Sequence, residues 1–112
     1  MVTVIDRAEL REKLAHVANL VVVDTLPRSA YARGHIPGAI SIPSEGIVAR
    51  APELLPDRNV EIVVYCKNGP CQRSDKAAAR LEKLGYTRVF DYHVGRDDWS
   101  EAGLPLETGY DM

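Results

Sequence analysis

The chain has 112 residues, 46% hydrophobic and 27% charged, with a formal net charge of −2. A chain of that size suits one domain, residues 1–112, built around one core. Its near-neutral charge and scattered basic residues exclude a nucleic-acid-binding patch, and apolar runs such as residues 20–23 are too short to span a membrane. The first residues lack the basic-then-apolar layout of a signal peptide, so the expected location is the cytoplasm.

In chain order, Asp6 caps a first helix over residues 7–15, with Leu10 and Leu14 on one face. Residues 20–24 are apolar without alternation and end in Asp24, which predicts a strand buried on both sides. Pro27 breaks the chain, residues 29–33 form a short helical turn closed by Gly34, and Pro37-Gly38 marks a tight turn. A short strand over residues 39–42 stops at Pro43. Residues 45–51 form a helical segment, and Pro52 and Pro56 bracket a second short piece around Leu54 and Leu55. Residues 57–59 turn the chain into a strand over residues 60–65, which ends at Cys66. The loop Lys67-Asn68-Gly69-Pro70-Cys71-Gln72-Arg73-Ser74 leads into an Ala-rich helix over residues 75–84, capped by Gly85. A strand over residues 87–92, a turn at Gly95, a short helix over residues 97–102 closed by Gly103, and an extended tail complete the chain.

Strands alternating with helices predict an α/β fold in three layers, a mainly parallel sheet flanked by helices. Such sheets bind ligands beyond the carboxyl ends of their strands, where Asp24 and Cys66 both fall. A thiol there, beside a helix N-terminus and Arg73, is expected to favour the thiolate, which makes Cys66 the candidate nucleophile. The bland alternative is a buried structural cysteine. Cys71, five residues on, reads either as a resolving thiol closing a disulfide with Cys66 or as a small residue filling the loop. The two cysteines suit neither a disulfide scaffold nor a four-ligand zinc site. Arg73 reads either as stabilising the thiolate and an incoming anion or as an exposed cation at the helix start. Ser74 reads first as the cap of the following helix and second as a donor to a substrate oxygen. Asp24 either orients the cysteine loop or caps its own turn. His35 reads as a structural histidine pinning its turn rather than as a general base, His16 as a surface residue, and Trp99 as core.

Four stretches together resemble the single-domain members of the rhodanese-like sulfurtransferase family, over residues 7–107. They are Val21-Val22-Val23-Asp24 followed by Gly34-His35-Ile36-Pro37-Gly38-Ala39; Val64-Tyr65-Cys66 with its loop; Leu81-Glu82-Lys83-Leu84-Gly85-Tyr86; and Val89-Phe90-Asp91-Tyr92 through Gly95 and Trp99 to Pro105. The resemblance implies a small five-stranded sheet. It also implies an activity in which Cys66 accepts a sulfane sulfur from a donor such as thiosulfate, holds it as a persulfide, and passes it to a thiol or cyanide. Residues 67–74 would be the cradle of backbone amides for the anionic sulfur, with Asp24, Arg28 and Cys71 in support. The expected partners are a small sulfur donor and a thiol acceptor, protein thiols included, with no nucleic acid, membrane, metal or organic cofactor; the oligomeric state is open.

The chain departs from the family pattern in three places. Arg73 and Ser74 stand seven and eight residues after Cys66, two further than in the commonest family loop. Asp24-Thr25-Leu26 replaces the usual Asp-x-Arg, leaving Arg28 as the nearest arginine. Val94 stands where the first of two glycines is usual, which would set His93 and Val94 on the rim of the pocket. These departures keep alive a non-catalytic or redox-sensing binding module. A phosphatase or arsenate reductase is the weakest alternative, because that chemistry wants Cys-x5-Arg and this loop is Cys-x6-Arg.

Overall fold

The computed structural model describes residues 2–109. Five parallel strands form one sheet in the order β1-β5-β4-β2-β3: β1 Thr3–Val4, β2 Val21–Asp24, β3 Ile40–Ser41, β4 Ile62–Tyr65 and β5 Val89–Tyr92. Helices α1 Arg7–His16, α2 Arg28–Arg33, α3 Ile47–Leu54, α4 Arg73–Lys83 and α5 Gly95–Glu101 cover both faces. The α/β three-layer expectation therefore holds. Among the described residues no helix is long and apolar enough to cross a membrane.

Two cores follow from the period-two alternation of the strands. Val23, Ile62, Val64 and Val89 point to one side, against Ile47 and Ala51 of α3 and Ala77, Ala78 and Leu81 of α4. Val22, Val63, Tyr65 and Tyr92 point to the other, against Leu10, Tyr31, Ile36 and Trp99. Every residue of β4 is buried, as the unbroken apolar run anticipates. Trp99 is core, and its indole N–H donates to the Pro105 carbonyl at 2.8 Å. Asp6 and Glu9 close a reciprocal capping box at the start of α1.

One element was not anticipated and one expectation needs correction. Residues 3–4 form a strand, β1, pairing with β5; two residues are too few to show an alternation. α3 runs through Pro52 rather than stopping before it. Buried Ala51 and Leu55 hold this segment against the sheet. The hydrogen bond that Pro52 forgoes would reach back to Val48, which is exposed, so water can satisfy that carbonyl.

The sheet register sets Asp24 beside Tyr65. The buried Tyr65 hydroxyl donates to Asp24 Oδ2 at 2.7 Å and accepts from the Ile36 amide at 3.0 Å. Asp24 Oδ1 accepts from the Leu26 amide at 2.9 Å. Burial pushes the Asp24 carboxyl above its ordinary range, and these two hydrogen bonds and Arg96 pull the other way. His35 stacks on Tyr31 with ring centroids 3.8 Å apart, and its Nδ1 lies 2.8 Å from the Tyr31 carbonyl. That contact fits the structural reading of His35. The hydroxyl of Tyr65 thus joins the ends of β2 and β4 to the turn that enters β3. Tyr65→Phe is expected to lower stability by about 2–4 kcal/mol, because it leaves the Ile36 amide unpaired and removes a donor from Asp24. Urea unfolding measures this, and a loss below about 0.5 kcal/mol, the range of an ordinary surface change, would show that the network is not structural.

Candidate active site

The strand β4 ends at Tyr65, and the next residue, Cys66, is completely buried at the carboxyl edge of the sheet. The first part of the loop is clamped from below. The amides of Arg96 and Asp97, in the first turn of α5, donate to the carbonyls of Cys66 and Lys67, both at 2.8 Å. Gly95 makes this approach possible. Its φ is +77°, and a Cβ there would lie 2.6 Å from the Cys66 carbonyl oxygen. Beyond Lys67 the chain turns on itself through Gly69 and Pro70, and the Cys71 amide donates to the Asn68 carbonyl at 3.1 Å. Lys67, Pro70 and Gln72 are exposed; Asn68, Gly69 and Cys71 are half-buried.

Two carbonyls and the start of α4 surround the sulfur. Cys66 Sγ lies 3.3 Å from the Cys71 carbonyl, 3.8 Å from the Asn68 carbonyl and 3.6 Å from Ser74 Oγ. Burial pushes the Cys66 thiol up to about 11; the adjacent Cys71 thiol adds to the shift, and the amide and hydroxyl of Ser74 oppose it. Burial works against the expected thiolate in this arrangement. Of the expected helix end and arginine, only the Ser74 amide and hydroxyl bear on the sulfur, because Arg73 is turned to other partners, and desolvation is the larger effect. Both cysteines are free thiols.

Arg73 has other partners. Its Nε donates to the Thr25 carbonyl at 2.9 Å and its guanidinium pairs with Glu45 at 2.5 Å. Glu45 is held below its usual range by its own backbone amide and by Arg73. With Ser44, Gln72, Lys76 and Arg80, these two residues line a pocket of about 170 Å³ beside the loop. Ser74 is not the helix cap. Gln72 occupies that position, without a side-chain capping bond, and Ser74 is buried one residue inside α4 with its hydroxyl toward Cys66. Arg28 is exposed and lines a separate cavity with Tyr31, Ile40, Ser41, Arg50 and Leu54. No residue of the cysteine loop lines that cavity. Asp24 caps its own turn through Leu26 and bonds Tyr65, the residue before Cys66.

Sequence reasoning missed two contributors. Arg96 donates to the carbonyls of Ala30 and Gly34 at 3.2 and 3.0 Å and bears electrostatically on Asp24. Its signal was its place directly after a glycine at a helix start. Asp91 is 3% exposed on β5, facing the start of α4, where Asp75 and His93 meet it. Burial and the Asp75 carboxyl push Asp91 up to about 7, against the pull of Ser74. An aspartate inside an apolar strand was the visible sign.

The family model described as the rhodanese-like domain matches residues 6–102. A sulfurtransferase of Allochromatium vinosum is 37% identical over 106 residues, covering 95% of each chain. A solved protein of Bacillus halodurans superposes with a TM-score of 0.86 at 31% identity, over 95% of this chain and 77% of that one. A human single-domain sulfurtransferase superposes with a TM-score of 0.75 at 28% identity, over 88% and 95% of the two chains.

Two outcomes follow from the loop geometry. Alkylation of Cys66 by iodoacetamide, resolved from Cys71 by peptide mass mapping, should quicken with rising pH toward a midpoint near 11. A midpoint at or below the free-cysteine value of about 8.5 would show amides, not carbonyls, facing the sulfur. Gly95→Ala should cost well over about 1 kcal/mol in urea unfolding, since it combines a positive φ with a backbone clash.

Proposed function

The chain belongs to the rhodanese-like family of sulfurtransferases, and we propose that it carries sulfane sulfur as a persulfide on Cys66. The observation that carries this reading is the buried Cys66 thiol, set at the carboxyl edge of the sheet inside a loop closed on itself. A donor of the thiosulfate class meets the Cys66 thiolate after its proton has left to solvent. A bond forms between Sγ and the outer sulfur, the bond from that sulfur to the sulfonate breaks, and sulfite departs with the electron pair. An acceptor thiolate or cyanide then attacks the outer sulfur, and Cys66 leaves as the thiolate. Protein thiols are within the class of acceptors, and a relative from Bacillus subtilis, 32% identical over 90 residues, bears the name putative sulfur carrier protein. The reducing thiol pool of the cytoplasm suits this chemistry.

The resting loop suits a neutral thiol, because carbonyls surround it. An anionic outer sulfur needs amides instead. The clamp on the Cys66 and Lys67 carbonyls confines the necessary peptide rotation to residues 68–72. Cys71 sits in that segment. Attack by its thiolate on Sγ of the persulfide would form a Cys66–Cys71 disulfide and expel hydrosulfide, an internal exit for the sulfur. Phosphate chemistry is disfavoured, because the Arg73 guanidinium is turned to Thr25 and Glu45 rather than closed over the thiol.

Incubation with thiosulfate, followed by intact-mass and peptide analysis, should add one sulfur to Cys66 and none to a Cys66→Ser chain. Failure with thiosulfate, polysulfide and glutathione persulfide alike would overturn the reading. Cys71→Ser should lengthen the life of the persulfide and suppress sulfide release in the absence of added acceptor. Unchanged release would make Cys71 a space-filling residue.

A further inference from the structure

Strand β5 carries a carboxylate where its position calls for an apolar side chain. Asp91 shares a sheet face with Val89 and lies against the first turn of α4. It is 3% exposed, and its Oδ1 is buried without a hydrogen-bond partner. Buried carboxylates ordinarily accept several hydrogen bonds, and an orphan oxygen needs an explanation. Its neighbours deepen the problem. Asp75, from α4, presents a second carboxyl to the same spot, and His93, two residues beyond Asp91, presents its imidazole. One donor atom from each of the three lies within 4.8 Å of the others. His93 Nδ1 is 3.2 Å from Asp75 Oδ1, so the imidazole relieves Asp75, while Asp91 Oδ1 gains nothing.

We propose that Asp75, Asp91 and His93 form a binding site for a divalent transition-metal ion. Two carboxylate oxygens and one imidazole nitrogen, without sulfur, suit manganese, iron(II), cobalt or zinc, and do not suit copper(I). The spacing has a structural origin: residues two apart at the end of a strand project to one side of the sheet, and the helix that packs there supplies the third ligand. Access is open, because Asp75 is exposed and His93 half-buried, which leaves further coordination positions to water. The place is also distinctive. Ser74, the residue before Asp75, has its hydroxyl 3.6 Å from Cys66 Sγ and bears on the Asp91 carboxyl. A dication held there brings to the cysteine loop the positive charge that Arg73 directs elsewhere. The metal site stands independently of the persulfide reading.

Manganese is the probe of choice, because it is indifferent to the two thiols. Titration of the reduced full chain with Mn²⁺, followed by the electron paramagnetic resonance of the free ion, should show one equivalent bound. Co²⁺ should give weak visible absorption without the intense near-ultraviolet band of thiolate ligation. A chain carrying Cys66→Ser and Cys71→Ser together should bind equally well. Asp91→Asn, which keeps size and shape, should weaken binding about 100-fold or more, beyond the usual loss of an outer-shell partner. His93→Ala, at a half-buried position, should do the same and serves as the deciding variant if Asp91→Asn does not fold. Binding that survives both substitutions, or disappears with the thiols, would overturn the site. So would the absence of Mn²⁺, Co²⁺ and Zn²⁺ binding at millimolar concentration, which would leave Asp75 and Asp91 as an acid pair sharing a proton.

Discussion

The hydrogen bond from Tyr65 to Asp24 is the constraint on which the rest of the structure depends. It spans two neighbouring parallel strands at the edge where the candidate chemistry lies. Parallel strands are held in register by slanted bonds of even spacing, and a one-residue slip would exchange the two cores. The side-chain bond opposes such a slip, because only one register puts the hydroxyl against the carboxylate. It also costs something, since both groups are buried and burial pushes the Tyr65 hydroxyl and the Asp24 carboxyl away from ionisation. The cost is offset by the amides of Leu26 and Ile36, which complete the network. Cys66 inherits its position from this arrangement by being the next residue along.

Reactivity at Cys66 is a property of the loop rather than of the residue. In the resting conformation the sulfur is desolvated and ringed by the carbonyls of Asn68 and Cys71. A thiol is comfortable there and an anion is not. Any process that exchanges those carbonyls for amides reverses the preference without moving the strand or the helix. The clamp of α5 holds the carbonyls of Cys66 and Lys67, whereas the residues beyond it are half-buried or exposed.

The larger elements were legible in the sequence because each carried its own local signal. The apolar runs into Asp24 and Cys66, the Ala-rich stretch after Ser74, and the Gly34-to-Ala39 turn are all short-range patterns. The misreadings share a different cause. β1 exists because β5 offers it an edge, and α3 continues through Pro52 because Ala51 and Leu55 find a core; neither fact is local. The position of the loop at the sheet edge was legible, and the groups facing its sulfur were not. Backbone amides and carbonyls alternate along any chain, so the residue list cannot say which set faces a sulfur. Arg73 likewise stood at a plausible distance in sequence, but Glu45, twenty-eight residues away, decides where its charge goes. Asp91 was visible as an anomaly and acquired meaning only when Asp75 and His93 were found beside it.

The clamp on the loop has a consequence for the order in which this molecule is made. The carbonyls of Cys66 and Lys67 are paired by amides of Arg96 and Asp97, about thirty residues further along the chain. β5, also late, is the strand that joins β1 to β4, and β1 has no other neighbour in the sheet. A ribosome that has delivered only the first two-thirds of the chain has therefore exposed Cys66 without its platform and β1 without its partner. Closure of the sheet and assembly of the thiol's surroundings become one late event, governed by contacts distant in sequence. The growing polypeptide carries its cysteine unassembled, and the buried setting of the thiol forms only when α5 docks.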